Sequence, residues 1–519
     1  MTRCLRATLA SPVLALTALT PAMAPAVVPG GPLTSAGAAV AVTTTGSLSV
    51  APTSYVAGQA VRLRGHLGTT LRTVHLQSNM NRAGDTWADV PDSTRSTDSR
   101  GYFDFGFRAP AMFKISYRVV AGTLATNSYL FQAHPQELTL APVGKDPKYP
   151  FYSVPAGASV PVVVDTTPDI KTSFGSPPPI PGRTVLLQER TSPDEWRTLA
   201  TSTTDTDGNA HFTVTAPASG ARVLRAREER VTSGVNRIGW FASFPAYFVV
   251  SGARVSEPAT TVYNTTWPTE SGLRPTAAQR FGWGRVSYDY AWEGGQDLES
   301  PPSKGDVVAG RWGAFSNGTG RVTPFNGGLV LQTKFKKVGP GDRGTTAATL
   351  NGAARAHGRW EFRLQGRLWE TGARPYTFRL ELVPAGAAVT GCAPESVVLA
   401  DFTMGAPGMR FGVRSRTADA VWRKTLSDVR LAEQPFNVAV EVGNDHITWF
   451  RDGNPIGTVS DARAQLGVQL VPRLSLVGET AVEMNGAQVN SDWQRSWSLS
   501  AGQQVKNAAG LTRAPYSAC

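Results

Sequence analysis

The chain has 519 residues, with 51 Lys and Arg against 39 Asp and Glu, for a net charge of +12. That length predicts roughly two to four domains rather than one core. The basic balance allows attraction to anionic polymers, but no compact Lys/Arg run or nucleic-acid motif accompanies it, which argues against a nucleic-acid binder. Gly (52) and Pro (37) are frequent and helix formers are sparse, so many short strands joined by turns are expected.

The chain opens with Arg3 and Arg6 ahead of an Ala/Leu-rich run to about Val28. This is the pattern of an export signal, residues 1–26, with cleavage after Ala26. Pro12, Pro21 and Pro25 oppose a stable membrane-spanning helix there. No later apolar stretch is comparably long, so a secreted or cell-surface protein without a transmembrane segment is expected. Cys4 leaves with the signal, while Cys392 and Cys519 remain. In an oxidising compartment they are candidates for a disulfide that ties the C-terminal tail to the strand following Cys392. Two separate thiols are the alternative, and mass analysis with and without reductant distinguishes them.

After a Pro/Gly/Ala/Thr linker at 27–45, residues 46–135 alternate apolar and polar positions, as in Val61-Arg-Leu-Arg64 and Tyr102-Phe-Asp-Phe105. Period-2 alternation between Gly/Asn/Asp turns predicts a small antiparallel sandwich. Residues 136–251 repeat the unit. Arg72-Thr-Val-His-Leu-Gln77 matches Arg183-Thr-Val-Leu-Leu-Gln188, Trp87 matches Trp196, and Thr97-Asp-Ser-Arg-Gly101 matches Thr204-Asp-Thr-Asp-Gly208. Both units resemble bacterial immunoglobulin-like or fibronectin-like β-sandwich modules, which implies a spacer or docking role. Their Asp-x-x-Gly segments read as hairpin turns rather than Ca²⁺ loops, which need more oxygen ligands. No cofactor is expected, and a structural Ca²⁺ stays open.

A Thr/Ser/Pro/Glu-rich linker spans 252–275, and the third domain 276–500, with a tail at 501–519. Its strands include Gly358-Arg-Trp-Glu-Phe-Arg-Leu364, Thr377-Phe-Arg-Leu-Glu-Leu382, Glu395 to Phe402, Phe436 to Val442 and Ile447-Thr-Trp-Phe-Arg-Asp-Gly453. Asp492-Trp-Gln-Arg-Ser-Trp497 closes the series. In this order these stretches resemble glycoside hydrolase family 16, the laminarinase and β-glucanase family. The resemblance implies a concanavalin-like jelly roll and, for the whole chain, an all-β class of two small sandwiches followed by that jelly roll.

The family's catalytic strand reads Gly-Glu-Ile-Asp-x-(x)-Glu, and retaining hydrolysis needs two carboxyl groups roughly 5 Å apart. In a bulged register, its nucleophile, central Asp and acid/base positions fall on Ser396, Val398 and Asp401. In an unbulged register they fall on Val397, Leu399 and Asp401. Asp401 is therefore the candidate acid/base, with no carboxylate at the nucleophile position. Glu395 is six residues away, about 20 Å along an extended strand. Glu361 and Glu381 are the neighbouring-strand acids whose placement decides whether a rearranged site exists. Trp312, Trp369 and Trp422 are the candidate sugar-stacking residues, and Trp360, Trp449, Trp493 and Trp497 read as core. Arg410, Arg414 and Arg423 have two readings, as lining for an acidic glycan or as surface ion-pair partners. The expected partner is a polysaccharide or cell-wall glycan. Three functions stay open: a glycan-binding protein with a degenerate site, a β-glucanase-type hydrolase with a rearranged site, and a surface scaffold.

Overall fold

The computed structural model describes residues 42–81, 85–111, 113–147, 150–169, 175–250, 274–305, 310–325, 327–333, 342–368, 374–389, 393–431 and 435–517. The export signal, most of the second linker, Trp369, Cys392 and Cys519 lie outside them. No helix among the described residues is long and apolar enough to cross a membrane. One α-helix is present among them, the five-residue Ala277–Phe281. Apart from a short 3-10 helix at Ala462–Ala464, the other regular elements among the described residues are β-strands.

The two units read in the sequence share several strand pairings, although in the first Thr43–Ala51 also pairs with Leu124–Thr126 and joins its strands into one nine-stranded sheet, whereas the second has separate sheets of three and six strands. In the first sandwich Ala60–His66 pairs with Thr43–Ala51 and Tyr102–Arg108, while Phe113–Ala121 pairs with Thr73–Asn79 and Tyr129–Gln132. In the second, Ser159–Asp165 pairs with Thr139–Pro142 and Asn209–Thr215, while Ala221–Glu228 pairs with Thr184–Ser192 and Ala246–Val250. Each encloses its own core, around Leu63, Val74 and Phe131 in the first and Val164, Leu187 and Phe248 in the second.

Side-chain detail repeats as well. The Arg118 Nε donates to Gln77 Oε1 at 2.9 Å and its guanidinium lies 4.3 Å from the Trp87 ring. The Arg225 Nε donates to Gln188 Oε1 at 2.9 Å with its guanidinium 4.3 Å from Trp196. Both Asp-x-x-Gly segments are turns of the side-chain-capped kind. Asp98 Oδ1 accepts from the Arg100 and Tyr102 amides, and Asp205 Oδ1 from those of Asp207 and Asn209.

Both sandwiches pack against the jelly roll instead of standing off from it as a spacer would. Arg321 is buried, donates to the Ala242 carbonyl at 2.9 Å and lies 3.9 Å from the Phe244 ring. Tyr247 donates its hydroxyl to the Gly318 carbonyl at 2.9 Å, and the Ser316 amide donates to Pro193 O at 3.2 Å. The Ala111 amide of the first sandwich donates to the Glu293 carbonyl at 2.9 Å. Gly58 and Gly295 meet where the three parts converge. A Cβ on Gly58 would lie 2.3 Å from the Arg237 carbonyl oxygen and 2.9 Å from Gly295 Cα, so only glycine fits.

The jelly roll consists of two eight-stranded antiparallel sheets. One, the outer sheet, runs in the order 321–325, 328–332, 487–497, 358–368, 436–442, 447–451, 454–459, with 288–290 added beside 487–497. The other, the groove sheet, runs 311–316, 346–351, 470–477, 377–384, 396–403, 409–415, 420–426, 512–515. Trp360, Phe362, Leu380, Leu399, Phe402, Val440 and Trp449 are among the side chains that fill the space between them. Trp493 and Trp497 are buried too, at 8% and 5% exposure. The last strand, Thr512–Pro515, pairs with Ala420–Leu426, so the chain beyond residue 500 forms an edge of the groove sheet.

The outer sheet is buried on both faces, because the helix and residues 498–506 cover it. Alternation along Gly358–Leu368 sends Trp360 and Phe362 inward and Arg359 and Glu361 outward. Glu361 accepts from the amides of Ala277 and Ala278 at 2.6 and 3.3 Å, and burial pushes its carboxyl up to about 7. Arg359 meets Glu441, whose other oxygen accepts from His446 Nε2 at 2.7 Å and from the Val505 amide at 3.1 Å. Burial opposes the charge on His446, but its hydrogen bonds to Glu441 and Asp445 outweigh this and raise its pKa above 6.5.

The pH consequence follows from linkage. A raised folded pKa gives stability that is complete below 6.5 and is lost as pH rises through the folded value. Unfolding temperature is therefore expected to fall on the alkaline side of neutrality, and His446→Gln to flatten that limb. An alkaline limb unchanged in His446→Gln would count against this clamp.

Candidate functional site

The strand Ser396–Thr403 lies inside the groove sheet, between Thr377–Pro384 and Met409–Ser415. Its core-facing residues, Val397, Leu399, Ala400 and Phe402, include two in succession. The register explains this. Leu380 pairs with Ala400 and Glu381 with Val398, so Leu399 is an extra residue, a β-bulge. On the other side Val398 pairs with Gly412 and Asp401 with Arg410. The bulge places Ser396, Val398 and Asp401 on the groove face, which is the bulged of the two registers open in the sequence. Trp449, from the facing sheet, donates its indole N–H to the Val398 carbonyl at 2.9 Å and anchors the bulge from the core side.

Asp401 is 6% exposed, and guanidinium groups occupy both its oxygens. Oδ2 accepts from Arg379 Nε at 3.1 Å, and Oδ1 from Arg410 Nε at 3.0 Å and from Arg410 Nη2. The nearest positions on its own strand that face the groove are a methyl-bearing side chain and a hydroxyl. Glu381 shares the face, opposite Val398, and is 2% exposed with Oε2 unpartnered. Glu361 belongs to the other sheet under the helix, away from the groove. Glu395 sits at the strand's start, where it accepts from the Thr417 hydroxyl at 3.2 Å.

A groove of about 500 Å³ opens over Asp401. Arg379, Arg410, Arg414 and Arg423 line it with Asp401, and Ala514 and Pro515 of the last strand form one wall. Gly412 lies on its floor at φ 155°, where a Cβ would lie 2.0 Å from the Trp422 carbonyl oxygen. Arg414 is 9% exposed, and burial, then the adjacent Arg379 cation, pull its guanidinium below its ordinary pKa.

The candidate tryptophans are not brought together. Trp422 lines the groove but is 4% exposed, its indole packed in the core. Trp312 is 2% exposed and borders a different cavity, of about 220 Å³, between the second sandwich and the jelly roll. Trp196, Arg225, Arg227 and Trp240 also line that cavity. Neither described indole presents an open face, and Trp369 lies outside the described residues. Among the described residues no group of three or more His, Cys, Asp or Glu is arranged to hold a metal.

Sequence reasoning missed Arg379. It is the one arginine of an alternating strand, and the pairing that sets it against Asp401 is not visible in the sequence. The wall at Ala514–Pro515 was missed because a four-residue, mostly exposed strand in a tail carries little strand signal.

Two antiparallel sheets packed face to face, with a groove over a bulged central strand, make this part of the chain a jelly roll. No protein-family model matches the chain, and no curated protein matches it. Among solved structures it is similar to the laminarinase catalytic domain from Thermotoga maritima MSB8, at 14% identity over 34% of this chain and 80% of that one, TM-score 0.27. It is similar to the endo-β-1,3-glucanase from Pyrococcus furiosus, at 13% identity over 35% and 78%, TM-score 0.28. A structure from work on endo-acting O-glycanases of the human gut microbiota matches at 14% identity over 41% of this chain and all of that one, TM-score 0.30.

Proposed function

We propose that this chain is an exported protein that holds a cell-wall or extracellular glycan in the groove over Asp401 without cleaving it. The observation that carries this reading is the state of Asp401. Retaining hydrolysis needs one carboxyl free to protonate the leaving oxygen and a second to attack the sugar. Here both Asp401 oxygens are engaged by Arg379 and Arg410, and the bulge sets Ser396 and Val398 beside it. A serine without a base and a valine supply no nucleophile.

Glu381 favours a second reading, a rearranged hydrolytic site. It is buried on the same face with an unpartnered oxygen. Arg379, two residues from it on the same strand, and Arg414 stand among the groove acids, and a guanidinium between two carboxylates opposes their joint work on one glycosidic bond. The Cys392–Cys519 pairing also belongs to this proposal. Its support is the Tyr516 hydroxyl, which donates to the Pro394 carbonyl at 2.8 Å and joins the flanks of the two cysteines.

The test is retention of the mature protein by laminarin, lichenan and acidic cell-wall glycans. Retention by at least one of them, reduced in Trp369→Ala, is the expected result. A folded protein retained by none would leave a surface scaffold as the function.

A further inference from the structure

We infer that the groove's ligand is an acidic polysaccharide, whose carboxylate or sulfate groups are received by Arg414 and Arg423. This rests on the glycan-binding reading above and names the class of glycan.

Charge is the first ground. Four guanidinium groups line the groove against one lining carboxylate, with Glu381 buried on the same face, so cations outnumber acids there. Asp401 hydrogen-bonds to Arg379 and Arg410; it and Glu381 act on Arg414 only at longer range, without an ion pair to it or to Arg423 among the described residues. Arg423 is exposed, and among the described residues its side chain makes no ion pair or hydrogen bond.

The second ground is an unfilled polar site. Arg414 is nine-tenths buried, yet its Nη1 has no acceptor. Its cross-strand partner Ser396, fully buried, has an equally unpartnered Oγ. A buried donor without a partner is costly, and a charged one more so. An anionic oxygen in the groove, which Arg414 lines, would give this guanidinium the acceptor it lacks. Gly412, between Arg414 and Arg410 on the same strand, contributes no side chain and keeps the floor low enough for a chain to lie over both cations.

The third ground separates a polysaccharide from a nucleic acid. Single strands are bound by basic grooves that also offer aromatic faces for base stacking. The aromatic residues lining this groove, Phe411 and Trp422, are 2% and 4% exposed. Oxygen acceptors meeting guanidinium and hydroxyl donors suit an acidic glycan better.

The experiment is isothermal titration of the full mature chain with polygalacturonate as the carboxylate source, dextran sulfate as the sulfate source, laminarin as the neutral control and single-stranded DNA. Tighter binding of one or both acidic polysaccharides than of laminarin, weakened by added salt, is expected. Arg423→Gln should weaken it roughly tenfold or more, the loss of one charge-assisted contact. Arg414→Gln should do the same, and a thermal melt checks its fold. If that variant does not fold, exposed Arg423 carries the test. Salt-insensitive binding of laminarin equal to that of the acidic polymers, unchanged in Arg423→Gln, overturns the inference and leaves the glycan reading intact. No binding to any polysaccharide overturns both. DNA bound more tightly than either acidic polymer overturns the inference in favour of a nucleic-acid partner.

Discussion

Glu441→Ala is expected to destabilise the jelly roll by about 3–5 kcal/mol, the cost of leaving a buried charge without its partner. Arg359 and Glu441 are both fully buried cross-strand neighbours on the outer sheet, 2.5 Å apart at the closest atoms. Arg359 also donates to the Ser498 carbonyl at 3.3 Å and the Gln503 carbonyl at 3.5 Å. His446 and the Val505 amide take the other oxygen of Glu441. One carboxylate thus holds two strands and the chain after residue 497 together. Without it, Arg359 keeps its charge in a site that water does not reach.

The double replacement Arg359→Met with Glu441→Leu removes both charges and is expected to cost much less than either single change. Urea unfolding of the four proteins in this cycle checks both statements. A Glu441→Ala cost below about 1 kcal/mol, in the range of an exposed pair, would remove this cluster from its structural role.

The second large effect is at Trp449. Truncation to Ala removes an indole that is 1% exposed from the core and is expected to cost about 3–5 kcal/mol. Trp449→Phe keeps most of the volume but loses the hydrogen bond to the Val398 carbonyl. Leaving that buried oxygen unsatisfied is expected to cost about 1–3 kcal/mol. The site should feel this smaller change, because Val398 is the residue from which the bulge begins. Amide exchange along Ser396–Thr403 is expected to quicken in Trp449→Phe more than in the Gly358–Leu368 strand. Uniform quickening in both strands would mean that the indole supports the core in general and not the bulge.

Much of the fold was legible because its elements are dictated locally. Alternating side chains marked the strands, and the Asp-x-x-Gly turns marked the repeat. Asp452 and Gly453 both take positive φ, 47° and 72°, which explains why that dipeptide ends a strand so visibly. The docking of the sandwiches was not legible. It depends on Arg321 reaching into a neighbouring unit, and an arginine in a strand does not announce its partner.

The site was half legible. Asp401 stood out as an acid after an apolar run, and its neighbours Ser396 and Val398 followed from the bulged register. The bulge itself depends on Trp449 and on the pairing with Leu380 and Glu381, all distant in sequence. The environment of the tryptophans was equally hidden. Trp312 and Trp422 occupy core-facing positions of edge-proximal strands, and their burial is set by what packs over them. The two readings of Arg410, Arg414 and Arg423 divide between the residues. Arg410 is an ion-pair partner of Asp401, whereas Arg414 and Arg423 line the groove with no ion pair among the described residues.

The measurement that bears most directly on non-hydrolytic binding is reducing-end release, with product masses, from laminarin and polygalacturonate incubated with protein at stoichiometric concentration. Intact chains, with reducing ends no higher than in the protein-free control and unchanged by Asp401→Asn, are predicted. Shorter products that appear with the natural chain and disappear with Asp401→Asn would contradict the account and make the groove a hydrolytic site.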